Sequence, residues 1–226
     1  MLMAGGYQIA RVASIPWEDR VNVDGWPSRA GMYCNDSDNN LCMRLIDYPV
    51  GSTEPRHVHG GTHATTVLKG TTIVDGLTLG PLDVILGPSN EPHGPLFYPR
   101  GCQLFSAFQG SYFHSEVETL AAEKQYRLVQ AAEIPWVDAG DGIETKTLVD
   151  HGCGRLLLEA LRVAPGAKID RPGMLATIVV EGEVAIEDER LDAWDFFYVR
   201  DGADAAPLRF TRASTLLTVT MRSTAP

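Results

Sequence analysis

The sequence predicts an all-β protein built from two small antiparallel barrels in tandem within one chain. Short runs rich in Val, Ile, Leu, Thr and Phe recur every eight to twelve residues, and Gly, Pro, Asn and Asp separate them. Sequence patterns of the first half also recur, in the same order, in the second half. Many short strands with regular turns are typical of sandwiches and barrels, and an internal repeat indicates that one unit occurs twice.

The strand pattern is clearest in the first half of the chain. Turn sequences such as Asp75-Gly76 and Pro99-Arg100-Gly101 close its apolar runs. The segment from Glu116 to Lys124 has helical character, and we interpret it as a short connector. The runs predicted to be strands are Leu41 to Asp47, Thr65 to Leu68, Thr71 to Val74, Asp83 to Leu86 and Gln103 to Phe108.

Four pairs of similar segments define the repeat. The first pair is Ile15-Pro16-Trp17-Glu18-Asp19 and Ile134-Pro135-Trp136-Val137-Asp138, and the other pairs begin at Leu45 and Ala160, Val67 and Val179, and Asp83 and Asp195. The offsets are 119, 115, 112 and 112 residues, so the order is kept while small deletions accumulate. We therefore expect residues 7–118 to form one barrel, 119–127 a connector, and 128–223 a second barrel.

Composition and charge exclude several classes of partner. The 226 residues include 19 basic and 29 acidic side chains, which gives a net charge of −10. Nucleic acids and anionic membranes select clustered Lys and Arg, so neither is an expected partner. The N-terminal residues lack the pattern of a signal peptide, and the four cysteines lack CxxC spacing. We expect a soluble cytoplasmic protein with free thiols.

Four of the six histidines lie between residues 57 and 93, and they are the candidate metal ligands. His57 and His59 are two residues apart, so on a strand both point to the same face. We expect His57, His59 and His93 to bind one metal ion, with His63 either a fourth ligand or a neighbour that faces the ligands or the substrate. Neutral imidazoles suit Fe(II), Ni(II), Cu(II) or Zn(II).

The other two histidines are not assigned to the site. His114 follows the last strand of the first unit, and we expect it at the surface or between the two units. His151 lies in the sequence Asp150-His151-Gly152 and is interpreted as a turn residue.

The spacing of Gly51, His57, His59, His63 and Gly70 resembles the first motif of the cupins, with His63 where that motif usually has Glu. The segment Pro88-Ser89-Asn90-Glu91-Pro92-His93 resembles their second motif, with Asn90 where Gly is usual. Both halves resemble cupins, so the resemblance covers nearly the whole chain. It implies two jelly-roll barrels that form a pseudo-dimer within one chain.

Two groups of cupins are similar to the first half. The stretch from Arg56 to Gly70 resembles the acetylacetone and dihydroxyacetophenone dioxygenases, which hold non-haem iron with a histidine set that lacks the usual carboxylate. The segment from Pro92 to Phe105 is similar to the cupin domain of zinc-binding anti-sigma factors. Those proteins also carry a zinc-binding helical domain with a His and a CxxC, and this sequence has no CxxC. The resemblance therefore implies a metal cupin and not a sigma-factor partner.

The second half lacks the histidines of the first. Aligned on Gly166, the positions of His57, His59, His63 and His93 are occupied by Pro172, Met174, Ile178 (or Leu175) and Ala205. No histidine follows His151. We expect a barrel without metal that has a structural role.

Three functions agree with these residues. The first, which we favour, is an Fe(II)-dependent dioxygenase that cleaves a small enolisable ketone, because a chelating enolate offsets the charge of an ion held by neutral imidazoles. The second is an isomerase, cyclase or lyase that uses Zn(II) or Ni(II) as a Lewis acid. The third is a regulatory module that binds a metal or a small molecule.

The expected partner is a small-molecule substrate, and the chain is expected to be a monomer (a pseudo-dimer) or a homodimer. Candidate substrate-binding residues are the apolar and aromatic side chains of the predicted barrel wall together with two arginines, namely Met43, Phe97, Tyr98, Phe105, Arg44 and Arg56.

Overall fold

The protein is described by a computed structural model that covers residues 2–38, 40–112, 114–116, 126–150, 156–170, 176–199 and 204–221. Within these residues the regular structure is β, apart from two short 3-10 turns at Val12–Ser14 and Ala131–Glu133. The predicted all-β class is therefore confirmed. Of the predicted connector (119–127), residues 119–125 lie outside the described residues, and its last residue begins a strand, Arg127–Val129.

The described residues contain two short N-terminal strands, thirteen strands between Trp17 and Val129, and ten strands from Val137 onward. They are β1 (Leu2–Ala4), β2 (Tyr7–Ala10), β3 (Trp17–Val21), β4 (Pro27–Asp36), β5 (Leu41–Tyr48), β6 (Ser52–Glu54), β7 (His57–His59), β8 (Thr62–Gly70), β9 (Thr72–Val74), β10 (Leu77–Leu79), β11 (Val84–Gly87), β12 (Leu96–Tyr98), β13 (Cys102–Gln109), β14 (His114–Glu116), β15 (Arg127–Val129), β16 (Val137–Gly140), β17 (Ile143–Asp150), β18 (Leu156–Val163), β19 (Lys168–Ile169), β20 (Ala176–Glu181), β21 (Glu183–Ile186), β22 (Glu189–Asp192), β23 (Phe196–Tyr198), β24 (Leu208–Arg209) and β25 (Ser214–Met221).

Residues 16–133 form one compact unit. Its larger sheet has the order β15-β11-β8-β13-β5-β4-β3, its smaller sheet has the order β10-β9-β12-β6, and β7 pairs with β14. All pairings are antiparallel. Buried apolar side chains of both sheets, such as Val67 and Leu104 from the larger sheet and Leu96 and Tyr98 from the smaller one, form a shared core. The unit is a small barrel whose interior side chains alternate with exterior ones.

Residues 1–15 and 134–226 form the second compact unit. Its larger sheet has the order β2-β23-β20-β25-β18-β17-β16, with β1 added beside β2, and its smaller sheet has the order β22-β21-β24-β19. Apart from β1, the strand order of these two sheets matches that of the two larger sheets of the first unit. The row Arg44, Ser106 and Thr65 across β5, β13 and β8 has its counterpart in Glu159, Thr218 and Thr177 across β18, β25 and β20.

The two units differ from the sequence-based boundaries at the first strand of each repeat. The boundaries 7–118 and 128–223 assign β2 to the first barrel and most of β15 to the second. In the structure, β2 pairs with β23 of the second unit, and β15 pairs with β11 of the first unit. Tyr7 and Ile9 of β2 are fully buried in the core of the second unit, where the Tyr7 ring meets Phe197 edge-on at 5.4 Å. A local strand pattern does not specify which sheet edge the strand joins. The sequence therefore could not show that β2 joins the second unit and β15 the first.

In the second unit, two of the positions aligned with the histidines are described, and both carry apolar side chains. Ile178 is fully buried and Ala205 packs against the core cluster, while Pro172, Met174 and Leu175 lie outside the described residues. Within the described residues of this unit, no group of side chains is arranged to hold a metal ion.

Three cysteines, Cys34, Cys42 and Cys102, are buried and take part in no disulfide bond within the described residues, as the sequence predicted, and Cys153 lies outside those residues. Among the described residues, no helix has the length and apolar character needed to cross a bilayer.

Candidate metal centre

Backbone pairing joins the two histidine motifs of the first barrel. His57 and His93 exchange two backbone hydrogen bonds, each with an N to O distance of 3.0 Å. The turn before His93 is fixed by a third bond, in which the Asn90 amide donates to the His59 carbonyl at 2.7 Å. Asn90 has a φ of 60°, a left-handed conformation that asparagine tolerates better than most residues. The bridge therefore places the imidazoles of the two motifs side by side, with the centroids of the His57 and His93 rings 4.2 Å apart.

His57, His59 and His93 form one group of potential ligands. Each offers a ring nitrogen, and these nitrogens lie within 4.8 Å of one another. His57 and His93 are buried and His59 is half-buried. In a site that holds one zinc ion, with Zn–N distances of about 2.0–2.1 Å, the ligand nitrogens lie at most about 4.2 Å apart, so these rings would draw slightly closer together on binding. The donor set therefore fits a divalent transition metal.

Hydrogen bonds orient two of these rings. The Nδ1 of His57 lies 2.8 Å from the Pro55 carbonyl oxygen, and a carbonyl can only accept. The proton therefore sits on Nδ1, and Nε2 keeps its lone pair for a metal. His93 makes a longer contact of the same kind, 3.4 Å from Nδ1 to the Glu91 carbonyl.

His63 lies next to the group. Its ring centroid is 4.5 Å from that of His59 and 4.8 Å from that of His93, and the residue is 0% exposed. Neither ring nitrogen makes a hydrogen bond of good geometry, although the Gly61 backbone is close enough to raise the pKa slightly. Burial first, and His93 second, hold the pKa of His63 well below its ordinary value. The ring is thus neutral and has unused nitrogens beside the three-histidine group.

The three histidines line a cavity of about 320 Å³ inside the first barrel. His63 is not among its lining residues, so it lies behind the group and not in contact with the cavity. The apolar part of the wall comes from both sheets, through Ile46, Ile85, Leu96, Leu104 and Phe108. The polar part includes Arg20, Asn22, Arg44, Tyr48, Glu54, Thr65, Tyr98, Ser106 and Tyr112.

A buried carboxylate faces the same cavity. The Glu54 Oε2 accepts hydrogen bonds from the hydroxyls of Tyr98, at 3.1 Å, and of Tyr48. The two tyrosine rings stack with their centroids 4.1 Å apart. Burial, with the Glu54 charge adding to it, raises the pKa of Tyr48 well above its ordinary value, and burial does the same for Tyr98. Both hydroxyls therefore stay protonated and hold Glu54 in place.

Of the six predicted substrate-binding residues, Arg44 and Tyr98 line the cavity. Phe97 alternates with Tyr98 on β12 and is 41% exposed, so it points outward. The buried Met43 and Phe105 and the half-buried Arg56 do not line the cavity.

Sequence reasoning missed most polar residues of the cavity wall, among them Arg20, Tyr48, Glu54 and Tyr112. The only signal for Glu54 was its position two residues after Ser52 on a short strand, which puts both on one face. His114 pairs with His59 in the β14–β7 ladder, and His151 lies outside the described residues.

Comparisons with solved structures show the fold. A protein described as a candidate dioxygenase from Nostoc punctiforme superposes with a TM-score of 0.79 at 14% identity, over 99% of this chain and 88% of that one. An oxalate decarboxylase variant from Bacillus subtilis gives 0.67 at 13% identity, over 98% and 78%. The salicylate 1,2-dioxygenase of Pseudaminobacter salicylatoxidans gives 0.60 at 14% identity, over 80% and 71%. The predicted tandem jelly-roll barrels of the cupin type are therefore confirmed as the fold. No family model and no curated protein matches the sequence.

Proposed function

We propose that the first barrel binds one divalent transition metal through His57, His59 and His93, and that the protein is a metal-dependent dioxygenase that cleaves a small enolisable ketone. The observation that carries the proposal is the convergence of three imidazoles, without a carboxylate among them, on the wall of a cavity. Three structurally similar proteins with this fold are described as two dioxygenases and a decarboxylase, which supports an enzyme. Fe(II) is the metal we favour.

The three histidines would hold the ion and leave coordination positions open. When bound, the ion would supply a Lewis acid for the enolate and a site of oxygen chemistry. His57 contributes through Nε2, because its Nδ1 proton is committed to the Pro55 carbonyl. His63 is proposed as a fourth ligand or as a support for the other rings, since its nitrogens have no other good partner.

The rest of the cavity suits an enolisable ketone. Glu54 lines the same cavity and would take the proton that the ketone loses between its carbonyls, while the hydroxyls of Tyr48 and Tyr98 hold its Oε2 in position. Apolar side chains such as Leu104 and Phe108 exclude water from the reacting carbon. For a β-diketone the overall reaction consumes one dioxygen molecule and yields a carboxylic acid and a 2-oxoaldehyde. Each product receives one of the two atoms of the dioxygen.

Oxygen consumption tests this function. The protein is stripped of metal and loaded without oxygen with Fe(II), Zn(II) or Ni(II), and a panel of β-diketones and hydroxyketones is added in an oxygen electrode. We expect uptake that requires both ketone and Fe(II), and that disappears in the His57→Ala, His59→Ala double variant. Lack of uptake with every ketone would reject the dioxygenase.

A second candidate is a non-redox isomerase, cyclase or lyase that uses Zn(II) or Ni(II). A three-histidine site is also a ligand set of catalytic zinc, and Glu54 lies in the same cavity as a base. This function predicts product formation with zinc at a rate that does not depend on oxygen. If the metal-loaded protein binds ketones but converts none of them, the third hypothesis, a regulatory binding module, replaces both.

A further inference from the structure

The end of the cavity at β3 and β5 carries two arginines. Arg44 of β5 is only 3% exposed, yet its Nε has no hydrogen-bond partner. Arg20 of β3 lines the same cavity. Burial lowers the pKa of Arg44 first, and the charge of Arg20 lowers it second, so the two cations repel each other inside the barrel. A buried guanidinium with an unused donor is costly unless something pairs with it.

The contacts that Arg44 makes leave part of its guanidinium group without a hydrogen-bond partner. Its Nη2 lies 3.5 Å from Glu18 Oε2, at the outer limit of a hydrogen bond, and its guanidinium lies over the Tyr112 ring at 4.8 Å. Arg20 also reaches Glu18 Oε2, at 3.3 Å. The Glu18 side chain is 68% exposed, so its carboxylate can leave this position at small cost. The Glu18 carboxylate thus lies at a point where a carboxylate contacts both arginines.

The sheet register relates this end of the cavity to the histidines. Arg44, Ser106 and Thr65 lie in one row across three neighbouring strands, β5, β13 and β8, and all three line the cavity. The Thr65 and Ser106 hydroxyl oxygens are hydrogen-bonded at 2.9 Å. His63 lies two residues before Thr65 on β8, in the next inward-facing row. Two strand spacings put the Arg44 backbone about 10 Å from that of Thr65. Both residues line the same cavity as His57, His59 and His93, so one small molecule in it can contact the arginine and the histidines.

We infer that Arg44, assisted by Arg20, binds a carboxylate of the substrate, so that the natural substrate is a keto acid whose ketone lies at the histidines and whose carboxylate lies at the β3–β5 end of the cavity. This inference rests on the proposed function, because it deepens the identity of the substrate. A guanidinium and a carboxylate pair through parallel N–H to O bonds, and the guanidinium-bearing side chain of Arg44 lines the cavity. The carboxylate replaces Glu18 as the partner of both arginines and offsets their repulsion.

Calorimetric binding to the Zn(II)-loaded protein tests the inference without any turnover. The probe is succinylacetone, a β-diketone with a carboxylate two methylene groups beyond one carbonyl, and its methyl ester is the neutral control. We expect the acid to bind the wild-type protein about ten- to a hundredfold more tightly than the ester, as for a hydrogen-bonded charge pair. Equal binding of acid and ester, or binding of neither, would overturn the inference.

Variants locate the binding energy. Arg44→Gln is expected to lower the affinity for the acid to that for the ester and to leave the ester affinity unchanged. Arg44→Lys, which keeps the charge but not the planar fork, is expected to give an intermediate loss. The control is Arg29→Gln, because Arg29 is an exposed arginine on the neighbouring strand that pairs with Asp47 and does not line the cavity. An equal loss in the Arg29 and Arg44 variants would contradict a specific subsite.

The inference and the proposed function fail separately. A preference for the acid that depends on Arg44, without oxygen uptake by the Fe(II)-loaded protein, would uphold the carboxylate subsite and reject the dioxygenase. Oxygen uptake with neutral diketones, without any preference for the acid, would uphold the dioxygenase and reject the subsite. The comparison of acid and ester on the wild-type protein needs no variant, so a folding defect in Arg44→Gln does not affect it.

Discussion

His63 of β8 lies directly opposite Gly87 of β11, and its imidazole occupies the space that a side chain at residue 87 would need. A Cβ atom placed on Gly87 would lie 2.7 Å from the His63 Nε2 and closer still to Cε1. The barrel therefore admits a fully buried imidazole at residue 63 only because residue 87 has no side chain. The same contact keeps His63 against His59 and His93.

Gly87→Ala tests this packing. The added methyl group must displace the His63 ring, so we expect a loss of about 1–3 kcal/mol in the free energy of unfolding and weaker metal binding. Gly80→Ala is the matched control, because nothing lies within 4 Å of a Cβ at Gly80. Chemical denaturation of the metal-free proteins and metal titration measure the two effects. Equal stability and equal metal affinity in the two variants would contradict the packing argument.

Removal of two ligands is expected to abolish metal binding. The His57→Ala, His59→Ala double variant leaves His93 as the only member of the three-histidine group, and one imidazole does not hold a divalent ion during dialysis. Elemental analysis is expected to find about one equivalent of metal in the wild-type protein and none in the variant. His151→Ala, outside the motif spacing, serves as the control and is expected to retain the metal. Metal retained in the double variant would place the site elsewhere.

His63→Gln is expected to weaken metal binding by about ten- to a hundredfold without abolishing it, as for residues that support a metal ligand. The reason is that His63 touches the His59 and His93 rings but lies behind the cavity wall. The measurement is a competition titration with a chromogenic chelator. Loss of metal as complete as in the double variant would make His63 an equal ligand, and an unchanged affinity would make it a packing residue.

The candidate site was predictable wherever its geometry follows from short-range periodicity. The two-residue spacing of His57 and His59 put both on one face of a strand, and the second motif supplied His93. The same periodicity requires Phe97 and Tyr98 to face opposite ways, so both could not line the cavity, and the structure selects Tyr98. Sequence alone could not select between them, because both are large and aromatic.

Contacts between residues that are far apart in the sequence were not predictable. Glu54 is held by Tyr48 from β5 and by Tyr98 from β12, and no pattern in the sequence reveals that these hydroxyls meet. The exchange of β2 and β15 has the same cause, because strand pairing at a sheet edge depends on which apolar core the side chains fill. The repeat predicted both barrels, but it did not predict that β2 completes the second barrel and β15 the first.

The buried thiols give a prediction about pH. Burial raises the pKa of Cys42 and of Cys102 from the usual 9.0 to about 12. At about pH 8 only about one native thiol in ten thousand is then ionised, so iodoacetamide should leave both cysteines unmodified until denaturant is added. Peptide mass mapping measures the labelling at each site, and rapid labelling of either cysteine in the native protein would contradict its burial.

The same pKa shifts set the sign of the effect of pH on stability. In the unfolded chain these thiols ionise near their usual pKa of 9.0, whereas in the native protein they stay protonated until about 12. The native state therefore binds more protons in this window, and the free energy of unfolding falls as pH rises through it. Cys42→Ala is expected to reduce this dependence, which denaturant titrations at several pH values measure. The same slope in the variant would assign the effect to other groups.

Tyr7→Ala tests whether the N-terminal strand completes the second barrel. The Tyr7 side chain is fully buried, meets Phe197 edge-on and donates its hydroxyl to the Ala206 carbonyl at 3.0 Å. Its loss leaves a large cavity and an unpaired acceptor, so we expect a cost of about 3–5 kcal/mol, as for other buried aromatic residues. Gln8→Ala, on the same strand but only half-buried, is the control and is expected to cost little.

Hydrogen exchange locates this loss. We expect faster amide exchange in β20, β23 and β25, which belong to the sheet that β2 extends, and unchanged exchange in β8 and β13 of the first unit. This outcome would assign the strand before the first Ile-Pro-Trp segment to the second barrel in solution. Faster exchange in β8 and β13 with protection retained in β23 would instead return the strand to its own repeat, where the sequence-based boundaries put it.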